Sequence, residues 1–225
     1  MTVIASRYEA VRRQVVDAAD CVGRSPDDVL IVAVTKNHGI EEIRQALQIG
    51  VSDFGENRVQ EFLGKYGLFP DANWHFIGTL QTNKAKDVVG RSCLIHSVDS
   101  WRLLAEISKR AAALEIVQHV LLEVNVSGEE SKHGFLPADL LETLSEASAM
   151  PGILVKGLMT MAPFGRPEDV RWVFRELREL RDSLRETHLN GVELDELSMG
   201  MSNDFRVAVE EGATIVRVGT AIFGR

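Results

Sequence analysis

Apolar runs of strand length alternate with segments of helical period from one end of the chain to the other. The first segment is helical: Tyr8, Val11, Val15, Ala18 and Val22 recur at spacings of three and four, which gathers them on one face. A turn at Gly23–Pro26 closes it. Val29–Thr35 (VLIVAVT) is a continuous β-branched run, the pattern of a strand buried on both faces. Further strands are expected near Asp53–Gly55, His75–Gly78, Leu94–Val98, Gln118–Val126, Leu154–Met159, Glu196–Met199 and Ile215–Val218, which makes eight. Amphipathic stretches separate them. Leu104, Ile107, Ala111 and Leu114 share one face of Trp101–Leu114; Val170, Phe174, Leu177, Leu180 and Leu184 form a stripe along Pro167–Leu189. Pro137 and Pro167 sit where first helical turns should begin, and Asn190–Gly191 is expected to close the long helix.

Strands that alternate with helices imply a parallel sheet. Eight units without a Pro/Gly/Ser-rich linker favour one closed (β/α)8 TIM barrel over residues 1–225, rather than two domains. The eighth strand is followed almost at once by Arg225, which leaves no room for a helix behind it. The N-terminal helix is therefore expected to cover that side of the barrel.

Composition narrows the function classes. The formal charge of −8 argues against broad nucleic-acid binding, which needs a cationic face. Lys84–Lys86 and the arginines between Arg171 and Arg185 are the basic stretches, and acidic residues interleave with the latter, as on a solvated helix face. No apolar run approaches the ~20 residues of a membrane span, and the N-terminus lacks the signal-peptide pattern. Cys21 and Cys93 lie far apart and read as reduced thiols in a cytoplasmic protein. No metal-ligand spacing, GxGxxG or GxSxG motif is present.

In such barrels the chemistry gathers at the C-terminal ends of the strands. Lys36 ends the first strand, where partial desolvation would lower its pKa and free the amine for imine formation; the alternative is a strand-end lysine reaching into solvent. The turn Ser198–Asp204 leads into the helical stretch Phe205–Glu211, and the last strand runs into Gly219–Thr220. Together they suggest a phosphate cradle built from hydroxyls and backbone amides. Arg217, a guanidinium within an apolar strand, must be paired: with a carboxylate such as Glu123, with a ring nitrogen, or with phosphate. Asn57 is either a ring contact or a helix cap. His75 is either a core histidine or a site residue, and Met159 should end the sixth strand. The polar loop Ser127–Gly134 is long enough to act as a lid, and its Lys132 is either solvated or a second amine near the site.

Several segments, in order along most of the chain, carry a resemblance: VAVTK (Val32–Lys36), FGENRVQE (Phe54–Glu61), WHFIGTLQTNK (Trp74–Lys84), LEVNVSGEESKHG (Leu122–Gly134), GLMTM (Gly157–Met161), LSMGMSNDF (Leu197–Phe205) and VRVGTAIFG (Val216–Gly224). The sequence resembles the pyridoxal phosphate homeostasis protein family, also called the YggS/PROSC family. The resemblance implies a barrel of the alanine racemase type that holds pyridoxal 5'-phosphate (PLP) as a Schiff base on Lys36. It implies that Ser202, Gly219 and Thr220 hold the phosphate and that Arg217 stands beside the pyridine nitrogen, which keeps the ring a poor electron sink. Asn57, His75 and Met159 complete the expected cofactor contacts. A full racemase on this barrel would add a β-rich domain and a partner-subunit tyrosine, whereas the tyrosines here are Tyr8 and Tyr66. The expectation is a monomeric carrier or buffer of PLP that supplies apo PLP-dependent enzymes, without catalysis, a metal, a membrane or nucleic acid. The alternatives are a small amino-acid racemase or decarboxylase, and a class I aldolase that uses the same lysine without cofactor.

Overall fold

Thr2 starts the first helix: its hydroxyl accepts the Ala5 N–H at 3.2 Å, satisfying one of the donors that a helix start leaves free. The computed structural model describes residues 2–129 and 132–224. Along the chain it forms α1 (Val3–Cys21), β1 (Leu30–Val34), α2 (Ile40–Gln48), β2 (Asp53–Glu56), α3 (Val59–Tyr66) and β3 (Asn73–Phe76). Then come α4 (Ala85–Val88), β4 (Leu94–Val98), α5 (Trp101–Ala113), β5 (Gln118–Glu123), α6 (Leu140–Ala147) and β6 (Ile153–Met159). The last elements are α7 (Pro167–Arg185), β7 (Val192–Met201), α8 (Phe205–Glu210), β8 (Ile215–Val218) and the single turn α9 (Thr220–Phe223).

The strands close into a barrel in chain order. β1 pairs in parallel with β2 on one side, Val34 opposite Gly55, and with β8 on the other, Val32 opposite Arg217. The apolar core has two shells, because each strand buries both faces. The larger lies between strands and helices and includes Phe54, Phe62, Trp74, Phe76 and Phe174. The smaller fills the lumen with Val32, Leu94, Leu121, Met159 and Ile215.

Helix α1 buries Ile4, Val11, Val15, Ala18 and Ala19. It packs against α8 and α9 on one side and α2 on the other. That is the place of the eighth outer helix, the side that the N-terminal helix is expected to cover, although the single turn α9 does follow β8.

Element bounds depart from the sequence pattern where local bonds intervene. The long helix stops at Arg185 rather than Leu189. Thr187 turns its hydroxyl back to the Leu184 carbonyl at 2.7 Å, and His188 takes a left-handed φ of 49°, so the chain leaves the helix before Asn190–Gly191. β5 ends at Glu123 because Val124 crosses to Phe135 in an isolated bridge. β3 begins and ends two residues earlier than expected, at Asn73 and Phe76. The arginine-rich face of α7 is paired: Arg171 reaches Glu168, Glu210 and Glu211, Arg175 and Arg178 reach Glu211, and Arg185 reaches Asp195. Cys21 and Cys93 are both free. No described helix is long and apolar enough to cross a membrane.

Candidate functional site

The two-residue period of a strand decides which side chains reach the mouth of the lumen. Val32 belongs to the inner shell, so Val34 and Lys36 follow on the same face. Ile215 places Arg217 and Gly219 there, and Leu121 places Glu123 there. A Cβ on Gly55 would meet the side chains of Val32, Val34 and Ile77, so Gly55 also faces inward, with Asp53 below it and Asn57 above. Lys36, Asn57, Glu123, Arg217 and Gly219 therefore converge on one opening from four strands, β1, β2, β5 and β8.

Lys36 is exposed. The desolvation expected from its position behind an apolar run is absent, because β1 ends at Val34 and the chain already turns at Thr35. What fixes Lys36 is the backbone on either side of it. Buried Lys65 on α3 donates to the Thr35 carbonyl at 2.7 Å and to Glu56 Oε1 at 2.5 Å; Thr35 Oγ1 donates to the same Oε1 at 2.5 Å. Asn37 follows with φ 62°, a left-handed conformation that asparagine tolerates, and its N–H donates to Glu61 Oε2 at 3.0 Å. Burial works against the Glu61 charge, but the Asn37 N–H and Lys65 hold its carboxyl below the usual range. The lysine is thus presented on a turn whose two flanks are clamped by one helix.

Next to it, where β8 pairs with β1, Ser202 Oγ accepts the N–H groups of Gly219 and Ala221, each at 3.3 Å. The structure therefore brings Ser202, Gly219 and Thr220 together, with Thr220 exposed. A Cβ at Gly219 would lie 3.2 Å from the Val34 carbonyl, so the glycine keeps open the corner between β1 and β8. Asp204 accepts the Met201 N–H at 2.6 Å, and Asn203 donates to the Gly165 carbonyl at 2.9 Å, tying the loops after β6 and β7.

Arg217 is buried under this opening. It donates to Ser198 Oγ at 2.5 Å and to the Thr160 carbonyl at 3.0 Å. Burial draws its pKa down to about 10, opposed by Glu123 and Asp204, so it remains a cation at neutral pH. Direct pairing with Glu123 is not what satisfies it. Glu123 itself is pushed above the usual carboxyl range by burial and by Asp99, against the pull of Arg217 and His133.

Two expected contacts lie deeper than the rim. His75 spends both ring nitrogens inside the barrel, on Asp53 Oδ1 at 3.1 Å and on His96 Nε2 at 2.9 Å. Met159 ends β6 as expected but is fully buried in the inner shell, so it forms floor rather than rim. Lys132 donates to the Met161 carbonyl at 3.2 Å, at the edge of the mouth. Within the loop 127–134, residues 130 and 131 lie outside the described ones. Among the described residues no cluster of metal-ligating side chains occurs.

Lys65 and His96 were not legible as site-related. A single histidine in the apolar strand LIHSV was the available signal for His96. Lys65 offered none, since its partners come from other elements.

A cofactor with an aldehyde, a ring and a phosphate fits this donor set. The site holds one exposed amine, a hydroxyl–amide corner kept open by a glycine, and an Asn57 Oδ1 that is buried without a partner.

Comparisons with known proteins agree in extent. The family described as alanine racemase, N-terminal domain, matches residues 7–225. The chain is 48% identical over 221 residues to the pyridoxal phosphate homeostasis protein of Aquifex aeolicus, covering 97% of this chain and 96% of that protein. The structure of PipY from Synechococcus elongatus with PLP bound superposes with a TM-score of 0.85 at 37% identity, covering 98% of this chain and all of that one (100%). Alanine racemase from Corynebacterium glutamicum shares the fold, with a TM-score of 0.72 at 18% identity over 99% of this chain and 61% of its own.

Proposed function

The chain belongs to the pyridoxal phosphate homeostasis protein family, and from that premise we propose that it binds PLP at the barrel mouth, holding it in reserve for other proteins. When bound, PLP supplies an aldehyde that combines reversibly with primary amines. Lys36 is the amine for it, held in place by the Lys65–Thr35 and Glu61–Asn37 contacts on its two flanks. Ser202, Gly219 and Thr220 hold the phosphate through hydroxyl and backbone N–H groups. Asn57 Oδ1 accepts from a ring substituent. Arg217, fixed by Ser198 and the Thr160 carbonyl, presents a charged donor to the ring.

The observation that carries the reading is the clamped, exposed Lys36 beside the Ser202–Gly219 corner, with residues from four strands converging on the same opening. Reservoir rather than catalyst is the better reading, because stereochemical inversion needs acid and base on opposite faces of a carbon. Lys36 serves one face, and among the described residues no tyrosine stands at the mouth. Tyr8 lines a cavity at the opposite end of the barrel, and Tyr66 stacks on Phe62. The reading includes a monomer acting in the cytoplasm, with apo PLP-dependent enzymes as recipients.

The test has two arms. PLP-loaded protein is mixed with an apo-enzyme whose activity depends on PLP, and separately with single L- and D-amino acids. Regained apo-enzyme activity without amino-acid turnover supports the reservoir. Turnover that disappears with Lys36→Ala overturns it in favour of an amino-acid racemase or decarboxylase.

A further inference from the structure

A buried polar chain crosses the lumen. It begins at Asp53, at the N-terminal end of β2, beside a cavity of about 380 Å³ that Tyr8 and Arg12 also line. Asp53 Oδ1 meets His75 Nε2 at 3.1 Å; His75 Nδ1 meets His96 Nε2 at 2.9 Å; His96 Nδ1 meets Ser198 Oγ at 2.8 Å; and Ser198 Oγ meets Arg217 at 2.5 Å. β2, β3, β4, β7 and β8 each contribute one member.

A guanidinium only donates, so Ser198 accepts from Arg217; a carboxylate only accepts, so His75 donates from Nε2 to Asp53. The Ser198 hydroxyl is left to donate to His96 Nδ1, and His96 then donates from Nε2 to His75 Nδ1, a sense in which each step pairs one donor with one acceptor. Buried polar groups joined head to tail in this way polarise one another and are costly to interrupt.

We propose that Asp53, His75, His96 and Ser198 are positioning residues that hold Arg217 in one orientation and one charge state toward the cofactor site. The proposal rests on the PLP-binding reading above. The members lie below the mouth, and their effect on the cofactor passes only through Arg217. Because Asp53 is the partly exposed end, the barrel's N-terminal face is coupled to a site at its opposite face.

Burial drives the His96 pKa well below 6.5, and the nearby His75 and Arg217 add to this. Burial opposes the charge of Asp53, but hydrogen bonds from His75 and Ser52 keep its carboxyl below the usual range. The other ionisable groups close to the chain are Tyr8 from α1 and Cys93 before β4, both near Asp53, and Glu123 and Asp204, both near Arg217.

Two measurements test this. In the first, long-range ¹H–¹⁵N spectra of the PLP-free protein report imidazole tautomers. His96 is expected as the neutral Nε2–H form throughout pH 6–8. A His96 that titrates near its ordinary pKa of about 6.5, or carries its proton on Nδ1, overturns the chain.

In the second, the absorption maximum of bound PLP, its pH dependence and PLP affinity are compared for wild type, Ser198→Ala, Ser198→Thr and Asp53→Asn. Ser198→Ala is expected to shift the spectrum and weaken binding roughly tenfold, about 1.4 kcal/mol. Ser198→Thr is expected to restore both, and Asp53→Asn to shift the spectrum in the same direction from the far end. Spectra identical to wild type in Ser198→Ala and Asp53→Asn overturn the proposal. A wild type that takes up no PLP defeats the binding reading, and with it any role for the chain toward that cofactor. The imidazole spectra still decide whether the chain itself exists.

Discussion

Lys65 and Glu56 form an ion pair of 2.5 Å behind the candidate site, and neither is open to water: the Glu56 side chain is 0% exposed and that of Lys65 10%. The pair belongs to the wall between β2 and α3, yet its lysine also holds the carbonyl of Thr35. A structural contact therefore controls the backbone immediately before Lys36. Breaking one half of a buried pair leaves an uncompensated charge, which costs about 3–5 kcal/mol. Lys65→Met should lower the unfolding free energy of the PLP-free protein by about that amount in a urea titration. The double variant Glu56→Leu/Lys65→Met should lose less than Lys65→Met alone, because it leaves no orphaned charge. Equal losses would place the effect in lost packing instead.

Gly219 tests the phosphate corner without touching the amine. Its φ of −110° suits any residue, so Gly219→Ala should fold normally. The added Cβ would sit 3.2 Å from the Val34 carbonyl and 3.3 Å from its Cβ, closing the corner between β1 and β8. PLP binding is expected to weaken by about tenfold, roughly 1.4 kcal/mol, with thermal unfolding of the PLP-free form nearly unchanged. Calorimetric titration with PLP and with free phosphate would show whether the loss lies at the phosphate.

Glu123 gives a pH prediction with a definite sign. Its carboxyl is held above the usual range in the folded protein by burial and by Asp99. The native state therefore binds this proton more readily than the unfolded chain, and the residue's contribution to stability falls as pH rises from the ordinary carboxyl range through the folded pKa. Glu123→Gln should raise thermal stability at pH 7–8, on the order of 1 kcal/mol, and the difference should vanish below about pH 4. A variant less stable than wild type at pH 8 would mean that the attraction of Glu123 to Arg217 outweighs its desolvation.

Much of this architecture is legible in the sequence. Strand-length apolar runs such as VLIVAVT and LIHSV are interrupted by turn residues, and the two-residue period then assigns Lys36, Arg217 and Gly219 to the lumen. The apolar stripe of α1 also marks it as a helix packed along one face, though not where it packs. Less is legible where a role depends on partners from distant segments. His75 reads as an isolated polar residue until β4 brings His96 beside it and β2 brings Asp53. Lys65 lies in a helical pattern, where nothing marks it as the clamp behind Thr35. The exposure of Lys36 is not legible for a related reason: apolar neighbours before a residue do not bury it when the strand has already ended.

Lys36 is the proposed anchor of the cofactor at the mouth of the barrel. The most direct measurement is the visible absorption spectrum of the purified protein with added PLP, before and after borohydride, for wild type and Lys36→Ala. A yellow wild type is expected, its band lost on reduction and PLP mass fixed on the peptide that contains Lys36. No such fixation is expected in Lys36→Ala. A wild type that stays colourless with PLP, or a reduced adduct located on Lys132 or another lysine, would contradict that role for Lys36.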